Sequence, residues 1–229
     1  MANKTYIVTG GAGFVGSHLC EELAKDPSNT VHSVDNYFTG SKLNHVPGVT
    51  YHKFETKDIL LNAYSQVLPD NPDVIFHLGE YSRVEQSFDD IDLVYRMNTI
   101  GTQQVLEFAR KTNAKLVYAG SSTKFANSSD GYVMSPYAWT KAKNTELVMK
   151  YGEWYGLEYA ITYFYNVYGP REISTGNYAT LIAKFIEKKT KGEKLTVVSP
   201  GTQQRNFTHV NDIVSGLILV SEKGSGDEY

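Results

Sequence analysis

A tyrosine and a lysine four residues apart, Tyr137 and Lys141, are the pair of side chains in this sequence best suited to chemistry. They begin a stretch with helical periodicity, and residues four apart on a helix project from the same face. The phenol of tyrosine, with an ordinary pKa of about 10, is a poor base at neutral pH, but a neighbouring ammonium favours the phenolate and lowers that pKa. The pair could therefore remove the proton from an alcohol, as hydride transfer requires, although Tyr-x-x-x-Lys also occurs by chance on amphipathic helices.

A third polar group, the hydroxyl of Ser121, closes a predicted strand in the stretch Tyr118-Ala119-Gly120-Ser121-Ser122-Thr123. In folds of parallel strands and helices, the carboxyl ends of the strands open into the crevice that binds ligands. Ser121 could there donate a hydrogen bond to the reacting oxygen. We therefore predict Ser121, Tyr137 and Lys141 as the catalytic residues.

Glycines at positions 10, 13 and 16 lie between the first predicted strand and the first predicted helix. This G-x-x-G-x-x-G spacing is a variant of the dinucleotide-binding fingerprint, in which a bare turn lets the backbone approach a pyrophosphate at a helix N-terminus. The second predicted strand ends in Asp35 and Asn36. A carboxylate at that point can accept both ribose hydroxyls of NAD and would repel the extra phosphate of NADP, so the sequence predicts NAD as the cofactor.

The elements that must position these residues alternate along the chain. Short apolar runs typical of buried strands occupy residues 5–9, 30–35, 49–54, 74–78, 115–119 and 159–164. Longer stretches with apolar residues every three or four positions separate most of them, which predicts a Rossmann-type α/β fold with a doubly wound parallel sheet. Residues 1–165 would form this NAD-binding domain. Residues 166–229 would form a small, partial substrate-binding region, with a helix at 178–189, a strand at 195–198 and a final helix at 210–221 that packs back on the first domain.

Composition narrows the class of protein further. The chain has 229 residues, a net charge of −3 and no block of basic residues, so nucleic acid is not an expected partner. Its one cysteine, Cys20, excludes an internal disulfide, fits a reducing compartment and is expected to be a small buried residue. The sequence has no signal peptide and no run of apolar residues long enough to cross a membrane. We therefore expect a cytoplasmic protein that needs neither a membrane nor a metal.

Several further motifs occur in a fixed order. They include Phe76-His77-Leu78-Gly79-Glu80, Asn98-Thr99-Ile100-Gly101-Thr102, Tyr165-Asn166-Val167-Tyr168-Gly169-Pro170-Arg171 and Gln204-Arg205-Asn206-Phe207-Thr208-His209-Val210-Asn211-Asp212. Together with the glycine loop and the Ser, Tyr and Lys positions, they make the chain resemble extended short-chain dehydrogenases/reductases. The resemblance is specifically to nucleotide-sugar epimerases and dehydratases of the UDP-galactose 4-epimerase type, and it runs from Thr5 to about Asp212.

The resemblance implies two sets of binding residues. Those expected to contact NAD are Gly10, Gly13, Phe14, Val15, Gly16, Asp35, Asn36, Asp58, Ile59, Leu78, Gly79, Asn98, Tyr137, Lys141 and Tyr165. Those expected to contact a nucleotide-sugar substrate, with UDP as the expected nucleotide, are Ser82, Ser122, Thr123, Asn166 and Arg205. It also implies a homodimer, because relatives pair the two long helices around residues 89–111 and 137–155 across a two-fold axis. The sheet alone could instead cover the apolar faces of those helices.

The residues after Ser121 favour one reaction within this group. Dehydratases and decarboxylases with this architecture carry a glutamate two positions after the serine or threonine of the fifth strand, whereas Ser122 and Thr123 are the residues here. This favours 4-epimerisation through a transient 4-keto sugar. The alternative is dehydration or decarboxylation with an acid supplied from elsewhere, such as Glu80 or Glu85, and Glu80 is otherwise interpreted as a loop acid with no catalytic task.

Two departures from the family pattern leave an alternative of another class open. The stretch between Phe125 and Tyr137 is shorter than usual, and the sequence ends at Tyr229, before several elements of the substrate domain. A protein that binds NAD without turnover, as a scaffold, sensor or partner subunit, would fit these departures. The intact Ser121, Tyr137 and Lys141 favour an enzyme.

Overall fold

The computed structural model describes residues 3–61, 66–122, 135–197 and 199–227. Within them, parallel pairing joins seven strands into a central sheet in the order β3-β2-β1-β4-β5-β6-β9. The strands are β1 Thr5–Thr9, β2 Thr30–Asp35, β3 Val49–Lys53, β4 Val74–His77, β5 Lys115–Ser121, β6 Tyr159–Phe164 and β9 Gly226–Asp227. A short second sheet pairs β7 Val167–Tyr168 with β8 Thr208–His209.

Besides three short 3-10 turns at Lys42–Asn44, Thr56–Asp58 and Glu85–Phe88, five longer helical segments cover these strands in the described part of the chain. They are α1 Phe14–Leu23, α2 (Ile91–Val94, the π-helical Tyr95–Ile100 and Gly101–Thr112, which follow one another directly), α3 Pro136–Tyr155, α4 Leu181–Thr190 and α5 Val210–Lys223. Helix α3 begins where the sequence signals a start. The Ser135 side chain caps it by accepting a hydrogen bond from the Ala138 amide at 3.1 Å, and Pro136 occupies the first turn. The helix ends at Gly156, whose φ of 68° is left-handed.

The core forms two layers because successive residues of a strand point to opposite faces of the sheet. Ile75 of β4 packs in the layer beneath α2 and α3, whereas Val74 and Phe76 pack in the layer beneath α1 and α5. Strands buried on both faces with helices on each side confirm the Rossmann-type fold expected from the sequence. Cys20 lies inside the second layer, where burial raises the pKa of its thiol to about 12.

The chain after β6 departs from the expected pattern in one element. The prediction of a strand at residues 195–198 is wrong for the described residues 195–197. These residues lie in an exposed, irregular segment. A strand requires a neighbour for its backbone hydrogen bonds, and no strand of either sheet pairs with these residues. Helix α4 starts three residues later than expected, at Leu181, after Thr180 in extended conformation. Helix α5 packs against α1 and the sheet through Val210, Val214 and Leu217.

Within the described ranges, no helix combines the length and the apolar character needed to cross a membrane.

Candidate active site

The carboxyl ends of β1, β4 and β5 meet at one edge of the sheet and bring the predicted site residues together. The backbone after β1 approaches the backbone after β4 so closely that a Cβ on Gly10 would lie 2.9 Å from the Gly79 Cα. The Thr9 hydroxyl fastens the two turns, accepting hydrogen bonds from the amides of Leu78 and Gly79 at 3.1 and 2.9 Å. This crevice lies where doubly wound folds bind dinucleotides.

The glycine loop has the shape of a phosphate cradle. Gly10 adopts a φ of +72°, and a Cβ on Gly16 would lie 2.1 Å from the Gly10 carbonyl oxygen, so neither position accommodates a side chain without displacement. Helix α1 starts at Phe14, and its N-cap residue Gly13 provides no side-chain cap. The first amides of α1 are therefore available to an anion, which fits the pyrophosphate of NAD.

Asp35, at the end of β2, is fixed beside this loop. Its carboxylate accepts hydrogen bonds from the Ala12 amide at 2.9 Å and the Tyr37 amide at 2.7 Å. Burial raises the pKa of Asp35, against these hydrogen bonds, which lower it. A Cβ on Gly40 would come within 2.8 Å of the carboxylate, so the surrounding loop encloses it tightly. The position fits an acid that binds the ribose hydroxyls of NAD.

Ser121 and Tyr137 face each other across the crevice. The Tyr137 hydroxyl donates a long hydrogen bond of 3.4 Å to the Ser121 Oγ. Lys141 lies one turn further along α3, almost completely buried, with its Nζ donating to the Ala119 carbonyl and lying 4.5 Å from the centre of the Tyr118 ring. The structure thus gathers all three residues of the expected catalytic set at the end of β5.

Glu80 lies in the loop after β4, near the predicted pocket as expected, but its side chain is more buried than a loop acid would suggest. It was expected to be a loop acid, yet its side chain is only 4% exposed and forms an ion pair with Lys141. Burial alone would raise the pKa of Glu80, but the charge of Lys141 and the hydrogen bonds of Lys141 and Thr102 outweigh it, so the pKa is lowered. Its position three residues after a fully buried strand was the one signal in the sequence that its side chain would point inward.

A chain of buried hydrogen bonds links Glu80 to the glycine loop. Because Thr9 Oγ1 accepts from two amides, its proton is directed to the His77 Nδ1, 2.7 Å away. The His77 Nε2 then donates to Thr102 Oγ1 at 2.9 Å, and Thr102 donates to the Glu80 carboxylate at 2.8 Å. Burial lowers the pKa of His77 to about 4, which keeps this imidazole neutral, and its hydrogen bonds with Thr9 and Thr102 fix its tautomer.

Among the other residues expected to contact NAD, Asn98 has the best-defined contacts. It is fully buried in the π-helical part of α2, accepts a hydrogen bond from the Tyr81 amide at 2.7 Å and donates to the Tyr81 carbonyl and Thr140. The structure therefore gives Asn98 a part in holding the turn after Glu80. Its contact with NAD stays a prediction.

The remaining residues of that set lie around the crevice with different exposures. Phe14 and Val15 are half-buried at the start of α1, and Asn36 is half-buried after β2. The Ile59 side chain is buried in the core, whereas Asp58 is half-buried and pairs with Lys57 at 2.8 Å. Tyr165 is exposed after β6.

The residues expected to contact substrate are less tightly grouped. Ser82 is exposed and accepts a hydrogen bond from Arg83, Ser122 is half-buried after β5, and Thr123 lies outside the described residues. The β7–β8 pairing brings Asn166, which donates to the Asn206 carbonyl at 2.8 Å, next to the segment containing the exposed Arg205.

The sequence interpretation did not single out Arg83. Its guanidinium donates to the Tyr178 carbonyl at 2.9 Å and so ties the turn after β4 to the segment before α4. Burial lowers the pKa of Arg83, against the opposing effects of Tyr137, Tyr81 and Tyr178. The guanidinium stays protonated despite this lowering, because the ordinary pKa of arginine is far above neutrality, and Tyr137 is one of the groups that act on it.

The fold and the geometry of the site are those of a dinucleotide-binding crevice with Ser121, Tyr137 and Lys141 at its edge. The chain belongs to the NAD dependent epimerase/dehydratase family, whose model matches residues 6–229. This family is enzymatic and uses NAD, which confirms the cofactor expected from the sequence.

Similar proteins include both epimerases and decarboxylases. The chain is 32% identical to UDP-glucuronic acid decarboxylase 6 of Arabidopsis thaliana, over 96% of this chain and 67% of the relative. A UDP-N-acetylglucosamine 4-epimerase of Methanobrevibacter ruminantium, solved with UDP-N-acetylmuramic acid, superposes with a TM-score of 0.89 at 29% identity, over 99% of this chain and 76% of that one. WbmF of Bordetella bronchiseptica, solved with NAD+ and UDP, superposes with a TM-score of 0.88 at 30% identity. The superposition covers 100% of this chain and 72% of WbmF.

Proposed function

We propose that this chain is a nucleotide-sugar 4-epimerase that acts through a transient 4-keto sugar. The observation that carries the proposal is the position of Tyr137, within 3.4 Å of Ser121 and one helical turn from Lys141, at the crevice edge that also holds the glycine loop. The names of the relatives support a UDP-linked substrate, and their reactions include 4-epimerisation.

Each catalytic side chain has a separate task in this reaction. Tyr137 takes the proton of the sugar 4-hydroxyl, and Ser121 donates a hydrogen bond to the same oxygen. The buried ammonium of Lys141 stabilises the phenolate that Tyr137 must form. NAD, held by the glycine loop and Asp35, would supply the reversible hydride acceptor that oxidation at carbon 4 and its reversal from the opposite face require. Tyr137 then returns the proton to the oxygen, so substrate and product have the same oxidation state.

The binding residues divide between the two parts of the chain. Gly10, Gly13, Gly16 and Asp35 would hold NAD on the first part, residues 1–165. Residues 166–229 would form the substrate-binding region, where Arg205 offers a planar fork of donors matched to diphosphate oxygens. Asn166 lies beside that segment through its hydrogen bond to Asn206.

Decarboxylation of a UDP-hexuronic acid is the second candidate, because UDP-glucuronic acid decarboxylases are prominent among the relatives. It shares the first step, since oxidation at carbon 4 places a ketone beta to the carboxylate, which is then lost as carbon dioxide. The absence of a carboxylate at Ser122 and Thr123 favours epimerisation. Glu80 is an unsuitable external acid for dehydration, because its carboxylate is buried against Lys141.

Proton NMR of separate incubations with UDP-glucose, UDP-N-acetylglucosamine, dTDP-glucose and UDP-glucuronic acid tests the proposal. New signals of a galacto-configured sugar, with no net reduction of NAD, are expected. A 4-keto-6-deoxy sugar or a pentose product would overturn 4-epimerisation in favour of dehydration or decarboxylation. Unchanged sugars in the presence of bound NAD would favour the binding protein without turnover.

Replacement of Tyr137 by phenylalanine separates the enzyme from a binding protein. Removal of the general base is expected to lower kcat by about 10²–10⁴-fold. NAD affinity measured by isothermal titration calorimetry should stay close to that of the wild type, because the phenyl ring and the glycine loop remain. An equal loss of NAD binding and turnover would contradict the assigned task of Tyr137.

A homodimer through α2 and α3 belongs to the same proposal. These helices leave apolar side chains exposed, including Ile91, Tyr95 and Trp154. Pairing of two copies would cover them, since an exposed apolar face of this kind often marks an interface. Light scattering at micromolar concentration should give twice the monomer mass of 25.6 kDa, and a monomer mass would refute the dimer.

A further inference from the structure

The buried Glu80 carboxylate accepts hydrogen bonds from four side chains. One oxygen pairs with Lys141, and the other accepts hydrogen bonds from Asn144 at 2.7 Å, Thr102 at 2.8 Å and Tyr118 at 3.2 Å. These donors come from α2, β5 and α3, so Glu80 is held from several elements at once. A carboxylate bound in this way stays ionised and fixed in place.

The same contacts determine where the Lys141 ammonium lies. Its Nζ donates to Glu80 and to the Ala119 carbonyl, and it lies over the Tyr118 ring. Lys141, one helical turn after Tyr137, is therefore half of an ion pair and not an isolated cation. This matters because the ammonium is the group that would favour the Tyr137 phenolate.

Other titratable groups border this cluster from each neighbouring element. They are His77 of β4, Arg83 of the turn after β4, Tyr118 of β5, Tyr137 of α3, and Tyr81 and Tyr178, which flank Arg83. The imidazole of His77 is neutral and Arg83 is a cation. Glu80 is thus the negative charge that faces Lys141 directly in the described part of the crevice.

We propose that Glu80 is a positioning residue that holds Lys141 and sets the pH at which Tyr137 loses its proton. The inference rests on the proposed function, because it takes Tyr137 as the base. With Glu80 ionised, its pair with Lys141 is neutral, so the pair offers no net positive charge to the Tyr137 phenolate. With Glu80 neutralised, Lys141 carries a positive charge that no carboxylate compensates. The loss of one proton from the Tyr137–Lys141 pair then removes this charge and is favoured. Glu80 therefore shifts ionisation of Tyr137 to higher pH.

Replacement of Glu80 by glutamine tests this effect. The readout is the ¹³C resonance of the tyrosine Cζ in labelled protein saturated with NAD, followed as a function of pH and assigned by its loss in Tyr137→Phe. The titration midpoint of Tyr137 should fall by about one pH unit. The acidic limb of the kcat/KM profile should move in the same direction. If Glu80→Gln does not fold, Glu80→Ala replaces it, since alanine leaves room for a water beside Lys141. The same fall in the Tyr137 midpoint is expected for that variant.

The matched control is Glu146→Gln, which neutralises an exposed glutamate paired with Lys143 at 2.8 Å on the same helix as Lys141. Its Tyr137 midpoint should equal that of the wild type. A folded Glu80 variant with an unchanged midpoint would overturn the inference, as would reduced activity that is uniform over the pH range. A wild-type protein without turnover would refute the proposed function instead, while the NMR midpoints would still decide the effect of Glu80.

Discussion

The contact between Gly16 and Gly10 makes a quantitative prediction for cofactor binding. In Gly16→Ala, the new Cβ would lie 2.1 Å from the Gly10 carbonyl oxygen, 2.8 Å from the Gly10 carbonyl carbon and 3.0 Å from the Gly11 Cα. Real Cβ atoms essentially never approach other heavy atoms closer than 3.0 Å, so helix α1 and the glycine loop must separate by about 0.9 Å. All three neighbours are backbone atoms, which leaves no side chain to rotate away.

A displacement of this size is large compared with the tolerance of a hydrogen bond. Distances between donor and acceptor of about 2.7–3.2 Å define an N–H···O bond, so a shift of 0.9 Å removes the amides at the start of α1 from a bound pyrophosphate. Hydrogen bonds to charged groups contribute about 1.5–3 kcal/mol each. Loss of one such bond should weaken NAD binding by about 10- to 100-fold, because each 1.4 kcal/mol is about tenfold in affinity.

Isothermal titration calorimetry with NAD measures this change directly. Gly216→Ala provides the matched control, since a Cβ on Gly216 meets nothing within 4 Å in the middle of α5. That variant should bind NAD as the wild type does and unfold at a slightly higher temperature, because alanine favours a helix by about 1 kcal/mol over glycine. Unchanged NAD affinity in a folded Gly16→Ala variant would refute the argument that close packing of the loop builds the phosphate site.

Two further predictions concern Asp35 and His77. Asp35→Asn should weaken NAD binding by about tenfold. It should also narrow the preference for NAD over NADP, since the charge that repels the extra phosphate of NADP is gone. An unaltered ratio of the NAD and NADP affinities would argue against a contact between Asp35 and the ribose. His77 should lower the free energy of unfolding by about 2 kcal/mol when the pH falls from 7 to 5. In this range the imidazole binds a proton in the unfolded protein, where its pKa is the ordinary 6.5, but not in the folded protein, where its pKa is about 4. Urea unfolding at both pH values should show a correspondingly smaller fall in His77→Gln, and an equal fall in both proteins would contradict this assignment.

The sheet could be predicted strand by strand because its signals are local. The runs that became β1, β2 and β6 have the bounds expected from apolar periodicity, and β3, β4 and β5 differ by one or two residues. The segment 195–198 has similar composition, but its described residues 195–197 are not in a strand. Composition reports a preference for extended backbone, whereas a strand also requires a paired neighbour, which the sequence does not specify.

Glu80 illustrates the same limit within the site. Its identity and its position after β4 were visible, but the partners that bury it come from distant parts of the chain: Thr102, Tyr118, Lys141 and Asn144. No local pattern connects a glutamate to a lysine 61 residues further along. The pairing became apparent only when β4, α2 and α3 were placed side by side.

The sequence by itself determined the fold class, the glycine loop, Asp35 and the Ser, Tyr and Lys set, because each depends on residue types at short, regular spacing around a strand and a helix. The tertiary structure decided which charges face one another. Burial removes the solvent that would otherwise screen them, so the ion pair of Glu80 with Lys141 and the neutrality of His77 follow from packing. The charges around Tyr137 are therefore set by the folded crevice. The kind of chemistry that Tyr137 can perform is set by its own phenol and by the residues at fixed spacing from it in the sequence.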